Sequence, residues 1–136
     1  MKKSLILLAA VLLVFNAFSQ TKNTTKTKLE IYYFHATNRC PTCLSIEENT
    51  QKVLDKYFKK ELDNGVIKFT VLDSDDNANK FICKKYEAAG SALHLVKISN
   101  GKEKDNDLTN FAFEYSRNNP EKFMNCIKDK ITEILK

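Results

Sequence analysis

LEIYYFHATNRCPTCLSIEE, residues Leu29 to Glu48, is the stretch that decides how this chain is read. Leu29 to Phe34 is a short apolar and aromatic run, which predicts a buried strand reaching His35. Cys40-Pro41-Thr42-Cys43 follows after a polar link. Pro41 has no N–H, and its φ is preset for a first helical position, so a helix should open inside the motif. Two cysteines two residues apart close as a redox disulfide or supply half of a tetrahedral metal site. A strand before them and a helix after them favour redox chemistry; a metal site would need two further ligands.

The rest of the chain extends this frame. The motif helix carries Ile46, Val53, Leu54, Tyr57, Phe58 and Leu62 at helical spacing and should end at Asn64-Gly65. Val66 to Leu72 reads as a second strand, with Ile67, Phe69 and Val71 on one face. Asp73 to Asp76 is a polar turn suited to cap a second helix. That helix is expected to reach Ala89, with Ala78, Ile82, Tyr86 and Ala89 inward and Gly90 as its stop. Leu93 to Ile98 is a third strand. Asn100-Gly101 is a hairpin turn leading to a charged edge strand near Lys102 to Leu108. Pro120 opens a last helix with the stripe Phe123, Ile127, Ile131 and Ile134. The order β-α-β-α-β-β-α predicts an α/β, thioredoxin-like fold. It would be a four-stranded mixed sheet with helices on both faces. Strands joined through helices should run parallel, and the hairpin antiparallel.

The amino-terminal segment reads as an export signal: Lys2 and Lys3, an apolar core from Leu5 to Phe15, then Ala17-Phe18-Ser19. Cleavage after Ser19 would assign residues 1–19 to the signal peptide, 20–28 to a polar, flexible leader and 29–136 to one domain. No cysteine follows the cleavage point, which argues against a lipoprotein. The signal holds two of the 22 basic side chains and none of the 17 acidic ones. The mature chain is therefore only mildly basic with mixed signs, which speaks against nucleic-acid binding. An exported, periplasmic location lets disulfides persist.

The motif has an internal asymmetry. Cys40 should sit at the helix N-cap, where free N–H groups and the positive end of the dipole stabilise a thiolate. Arg39 adds positive charge and Pro41 shapes the turn. Cys43, one turn in, is the expected resolving thiol, attacking a mixed disulfide formed at Cys40. No buried carboxylate stands ready to take the Cys43 proton, and His35 is the nearest titratable group. Cys83 and Cys126 should lie on opposite faces of the sheet, too far apart to bond, and stay free. Asp73, Asp75, Asp76 and Asn77 lack the spacing of a calcium loop. His94 should sit within the third strand, with a backbone or water partner. Tyr32, Tyr33, Phe34, Phe111 and Phe113 read as packing aromatics.

Tyr32-Tyr33-Phe34-His35, Arg39-Cys40-Pro41-Thr42-Cys43 and Ile46-Glu47 resemble an exported bacterial family, the nitrophenyl compound nitroreductase subunit ArsF family. Val71-Leu72-Asp73, Asn79, Tyr86 and Val96 with Asn100-Gly101-Lys102 extend the resemblance from Leu29 to Leu135. It implies a redox role for Cys40 and Cys43 alone, and a link to a membrane electron carrier of the disulfide-reductase type. The chain departs from thioredoxins in two ways. Pro41-Thr42 stands where they have Gly-Pro. Ser91 and Ala92 occupy the substrate-side loop where they place a cis-proline. The expected function is an exported thiol–disulfide oxidoreductase that exchanges electrons with a protein disulfide and needs no cofactor and no metal. The alternatives are a non-catalytic accessory or binding subunit of a redox complex, or copper(I) binding through the paired thiolates.

Overall fold

A computed structural model describes residues 26–136; the expected signal peptide and residues 20–25 of the expected leader lie outside the described residues. β1 (Leu29–His35) is the strand the sequence predicts. Its residues alternate between two packing faces, as side chains on a pleated strand must. Leu29, Ile31 and Tyr33 enter a large core, while Phe34 enters a smaller one on the other side. The domain begins slightly before the expected boundary. Thr27 donates a side-chain hydrogen bond to the Gly65 carbonyl at 3.0 Å, and the Lys28 N–H donates to the Val66 carbonyl at 2.8 Å.

α1 (Pro41–Tyr57) and a short α2 (Lys59–Asp63) replace the single helix expected. The break falls at Phe58, whose φ of −132° leaves the helical region. The break lets Phe58 turn into the core while Tyr57, assigned to the buried stripe by its spacing, stays exposed. β2 (Ile67–Asp73) pairs in parallel with β1, Ile31 opposite Phe69 and Tyr33 opposite Val71. It is an edge strand, which leaves Val71 exposed.

After β2, Asp76 caps a 3₁₀ turn by accepting from the Ala78 N–H at 2.9 Å. α3 (Lys80–Lys85) follows and is only six residues long. It ends at Tyr86, because Glu87 takes a positive φ of 52°. Ala78 and Ala89, expected inside, are exposed; Tyr86 is buried as expected, and Cys83 and Ala88 are buried in place of the two alanines.

This short crossover also reverses the expected strand direction. β3 (Ala92–Ser99) lies beside β1 and runs antiparallel to it, with Phe34 opposite Ala92. Six helical residues rise about 9 Å, against roughly 23 Å for a seven-residue strand. The chain therefore re-enters the sheet at the end where β2 left it and has to run back. β4 (Lys102–Asp107) completes the hairpin, and the strand order is β2-β1-β3-β4. Its residues, KEKDND, carry charges of both signs along the second edge.

α4 (Thr109–Tyr115) was not expected. Its spacing signal is present in Leu108, Phe111, Ala112 and Tyr115, which pack on the large core. Phe113, expected among the packing aromatics, faces outward. α5 (Pro120–Leu135) matches its expectation closely. Asn119 caps it by accepting from the Lys122 N–H at 3.1 Å, and Phe123, Ile127, Ile131 and Ile134 are all buried. Burying each such side chain contributes about 1.5–3 kcal/mol before entropic costs. α1, α4 and α5 cover one face of this four-stranded mixed sheet, and α3 covers the other.

Candidate functional site

The site lies at the carboxyl end of the parallel pair β1/β2, where β3 begins. Cys40 is the N-cap of α1, with extended dihedrals (φ −80°, ψ 160°), and Pro41 is in the first turn. Cys40 and Cys43 form a disulfide, their Cα atoms 5.0 Å apart. Cys40 is exposed, whereas Cys43 keeps only 6% of its surface. The Cys43 N–H donates to the Cys40 sulfur at 3.1 Å, so one of the helix's unpaired amides already points at the outer sulfur.

The inner cysteine is held from two sides. The Tyr33 hydroxyl, fully buried on β1, donates to the Cys43 carbonyl at 2.7 Å. The Ser91 hydroxyl, just before β3, lies 3.4 Å from the Cys43 sulfur. Burial pushes the Tyr33 phenol up, while the neighbouring Arg39 guanidinium and Ser91 hydroxyl pull it the other way. The sequence presented Tyr33 as a packing aromatic only. Nothing in its spacing shows that its hydroxyl stops at the carbonyl of the motif.

Arg39 does not act as a free positive charge. Its guanidinium pairs with the Glu47 carboxylate and sits 5.8 Å from the centre of the Tyr33 ring. Desolvation works against the charged guanidinium, but the Glu47 hydrogen bond and charge outweigh it and strengthen its hold on the proton. Glu47 lies one helical turn past Cys43, so helical spacing could have placed it near the motif. Its pairing with Arg39 could not be read, because Arg39 precedes the helix.

His35 ends β1 on the motif side of the sheet, opposite Asp73. Its Nδ1 lies 2.9 Å from the Ala36 carbonyl, which can only accept, so Nδ1 is the donor in this contact. Among the described residues, no hydrogen bond joins His35 to either cysteine. Ala92 is buried in the smaller core beside Phe34 and Val96, so of the expected substrate-side loop only Ser91 reaches the motif. Every peptide bond among the described residues is trans.

The remaining candidates stand apart from this cluster. Cys83 and Cys126 are free, the first on the inner side of α3 and the second on α5, on opposite faces of the sheet. Burial pushes both thiols up. His94 is buried, and its partner is a carboxylate rather than backbone or water: Nδ1 lies 2.9 Å from Asp105 on β4. Among the described residues, no three His, Cys, Asp or Glu side chains are grouped to hold a metal, and no helix is long and apolar enough to cross a membrane.

No family model matches this chain, and no curated protein matches it. A solved structure described as that of a malarial protein is similar over 65% of this chain and 94% of its own, at 18% identity and a TM-score of 0.41. At that level it assigns neither fold family nor activity. The chemistry rests on the cysteine pair and the groups around it. A disulfide with one exposed and one buried sulfur at a helix N-terminus is suited to accept or donate two electrons by thiol exchange.

Proposed function

We propose that this chain is a thioredoxin-like thiol–disulfide oxidoreductase. Its carrying observation is the asymmetry of the pair: Cys40 exposed at the N-cap of α1, Cys43 buried behind it. In the reduced protein, the helix dipole and the Cys43 amide favour the Cys40 thiolate. That thiolate attacks a substrate disulfide and forms a mixed disulfide as one substrate sulfur leaves as a thiolate. Cys43, after losing its proton, attacks the Cys40 sulfur. The Cys40–Cys43 bond forms, the second substrate sulfur leaves, and two electrons have passed to the substrate. The leaving thiolates take protons from water.

The amino-terminal signal supports an exported, periplasmic setting. There, a membrane carrier of the disulfide-reductase type would return electrons to the pair, as the resemblance to the ArsF-type family implies. The test is the reduction potential of the pair together with the pH titration of the Cys40 thiol. A reducing potential, a Cys40 pKa below about 7.5 and turnover of insulin or glutathione disulfide are expected. An unshifted thiol without turnover would sink the proposal.

A second reading, an accessory subunit that docks by its redox state, is favoured by one observation. Glu47 occupies the charge of Arg39, which leaves Cys40 with less electrostatic help than the sequence suggested. That reading expects a redox-dependent partner complex with no turnover.

A further inference from the structure

Among the described residues, no carboxylate hydrogen-bonds to the buried sulfur. Glu47, the nearest acid along α1, is engaged by Arg39. The hydrogen-bonding group the structure does bring to that sulfur is Ser91, whose hydroxyl lies 3.4 Å from it. Ser91 is half-buried and also lines an open polar cleft of about 470 Å³, shared with Lys85, His94, Asp105, Asp107 and Thr109. The cleft is on the α3 side of the sheet and Cys43 is on the α1 side. Ser91 sits at the rim, where the two meet.

We propose that Ser91 is a positioning residue for Cys43: its hydroxyl donates to the sulfur in the thiolate form and connects that sulfur to water in the cleft. The proposal rests on the oxidoreductase reading above and identifies how its inner thiol gives up a proton without a buried acid. In the resolving step the Cys43 S–H proton passes to the Ser91 oxygen as the hydroxyl proton passes to a cleft water. The hydroxyl then turns its new proton toward the sulfur. The resulting thiolate attacks Cys40, the Cys40–Cys43 bond forms, and the substrate sulfur leaves with the electron pair of the broken bond. No external oxidant enters. The other ionisable groups on the elements that frame the motif are Tyr33 and His35 on β1, Arg39 before α1, and Glu47 on α1. Across the cleft stand Lys85, His94, Asp105 and Asp107. Tyr33 points its proton at the Cys43 carbonyl rather than the sulfur, which leaves the sulfur to Ser91.

The test is an NMR titration of the full chain carrying cysteine labelled with ¹³C at Cβ, in a Cys40→Ala background, where Cys43 is the only thiol left in the motif. Ser91→Ala is expected to raise the Cys43 pKa by about one to two units. That amounts to a 10- to 100-fold loss of thiolate near neutral pH, the size of a lost hydrogen bond to a charged group. Ser91→Thr keeps the donor and should titrate within about half a unit of the Ser91 parent. An unchanged pKa in Ser91→Ala would overturn the proposal. So would Ser91→Thr behaving like Ser91→Ala, or Tyr33→Phe giving the shift that Ser91→Ala does not. Turnover of glutathione disulfide by the wild-type chain is scored separately. Its absence would remove the oxidoreductase reading, while the titration alone decides the role of Ser91.

Discussion

Four cysteines of one chemical type divide into two pairs that this fold treats in opposite ways. Cys40 and Cys43 stand at the start of a long helix, where backbone amides converge and one sulfur meets solvent. Cys83 and Cys126 stand within helices, on opposite faces of the sheet, where burial pushes their thiols up. The difference teaches that reactivity here is conferred by backbone placement. An amide aimed at a sulfur favours its anion, and an apolar wall disfavours it.

The strongest way to break that contrast is substitution. Cys40→Ser should reduce disulfide exchange to the uncatalysed background, whereas Cys83→Ser and Cys126→Ser should leave it intact in a glutathione-disulfide assay. A gentler test keeps all four thiols. After reduction, iodoacetamide at pH 7 should label Cys40 at least about tenfold faster than Cys83 or Cys126, as read by peptide mapping. Equal rates would dissolve the distinction.

Stability sharpens it further. Cys83→Ser places a hydroxyl in the small core and should cost about 1–2 kcal/mol in urea unfolding, while half-buried Cys126→Ser stays within about 0.5 kcal/mol. The raised Cys83 and Cys126 thiols also give reduced protein a pH signature. Their folded states hold the proton more tightly than the unfolded chain does. That contribution is complete below the unfolded value near 8.5 and is lost as pH rises through the folded values. Stability of the reduced chain should therefore decline above about pH 8.5, and less so in Cys83→Ala. The smallest expected effect lies at the motif's edge. Glu47→Gln releases Arg39 and should lower the Cys40 pKa by up to about half a unit, the scale of a partly exposed ion pair.

How much of this was legible in the sequence follows from which forces are local. The α5 stripe could be read because Phe123, Ile127, Ile131 and Ile134 repeat at helical spacing and are capped by Asn119. The N-cap placement of Cys40 followed from Pro41. The direction of β3 could not be read from pattern, since it depends on how far α3 travels, and that depends on where Glu87 turns. α4 was readable in Leu108, Phe111, Ala112 and Tyr115 but was hidden behind an expectation that the edge strand ran to Leu108. At the site, both sulfurs and Ser91 could be named from sequence. The Tyr33 hydroxyl on the Cys43 carbonyl and the Arg39–Glu47 pair join different elements, so only the assembled sheet brings them together.

The brevity of α3 has a further consequence. One face of the sheet rests under α1, α4 and α5 with Leu62 of α2, the other under six helical residues and a cluster built around Phe34, Cys83, Tyr86 and Val96. So light a cover opens by sub-global fluctuation at lower free energy than the whole domain. Its amides should exchange with deuterium before those of α5. Each opening uncovers Cys83 and loosens the chain leading to Ser91, so warming should weaken the inner sulfur's support while the rest of the molecule is still folded.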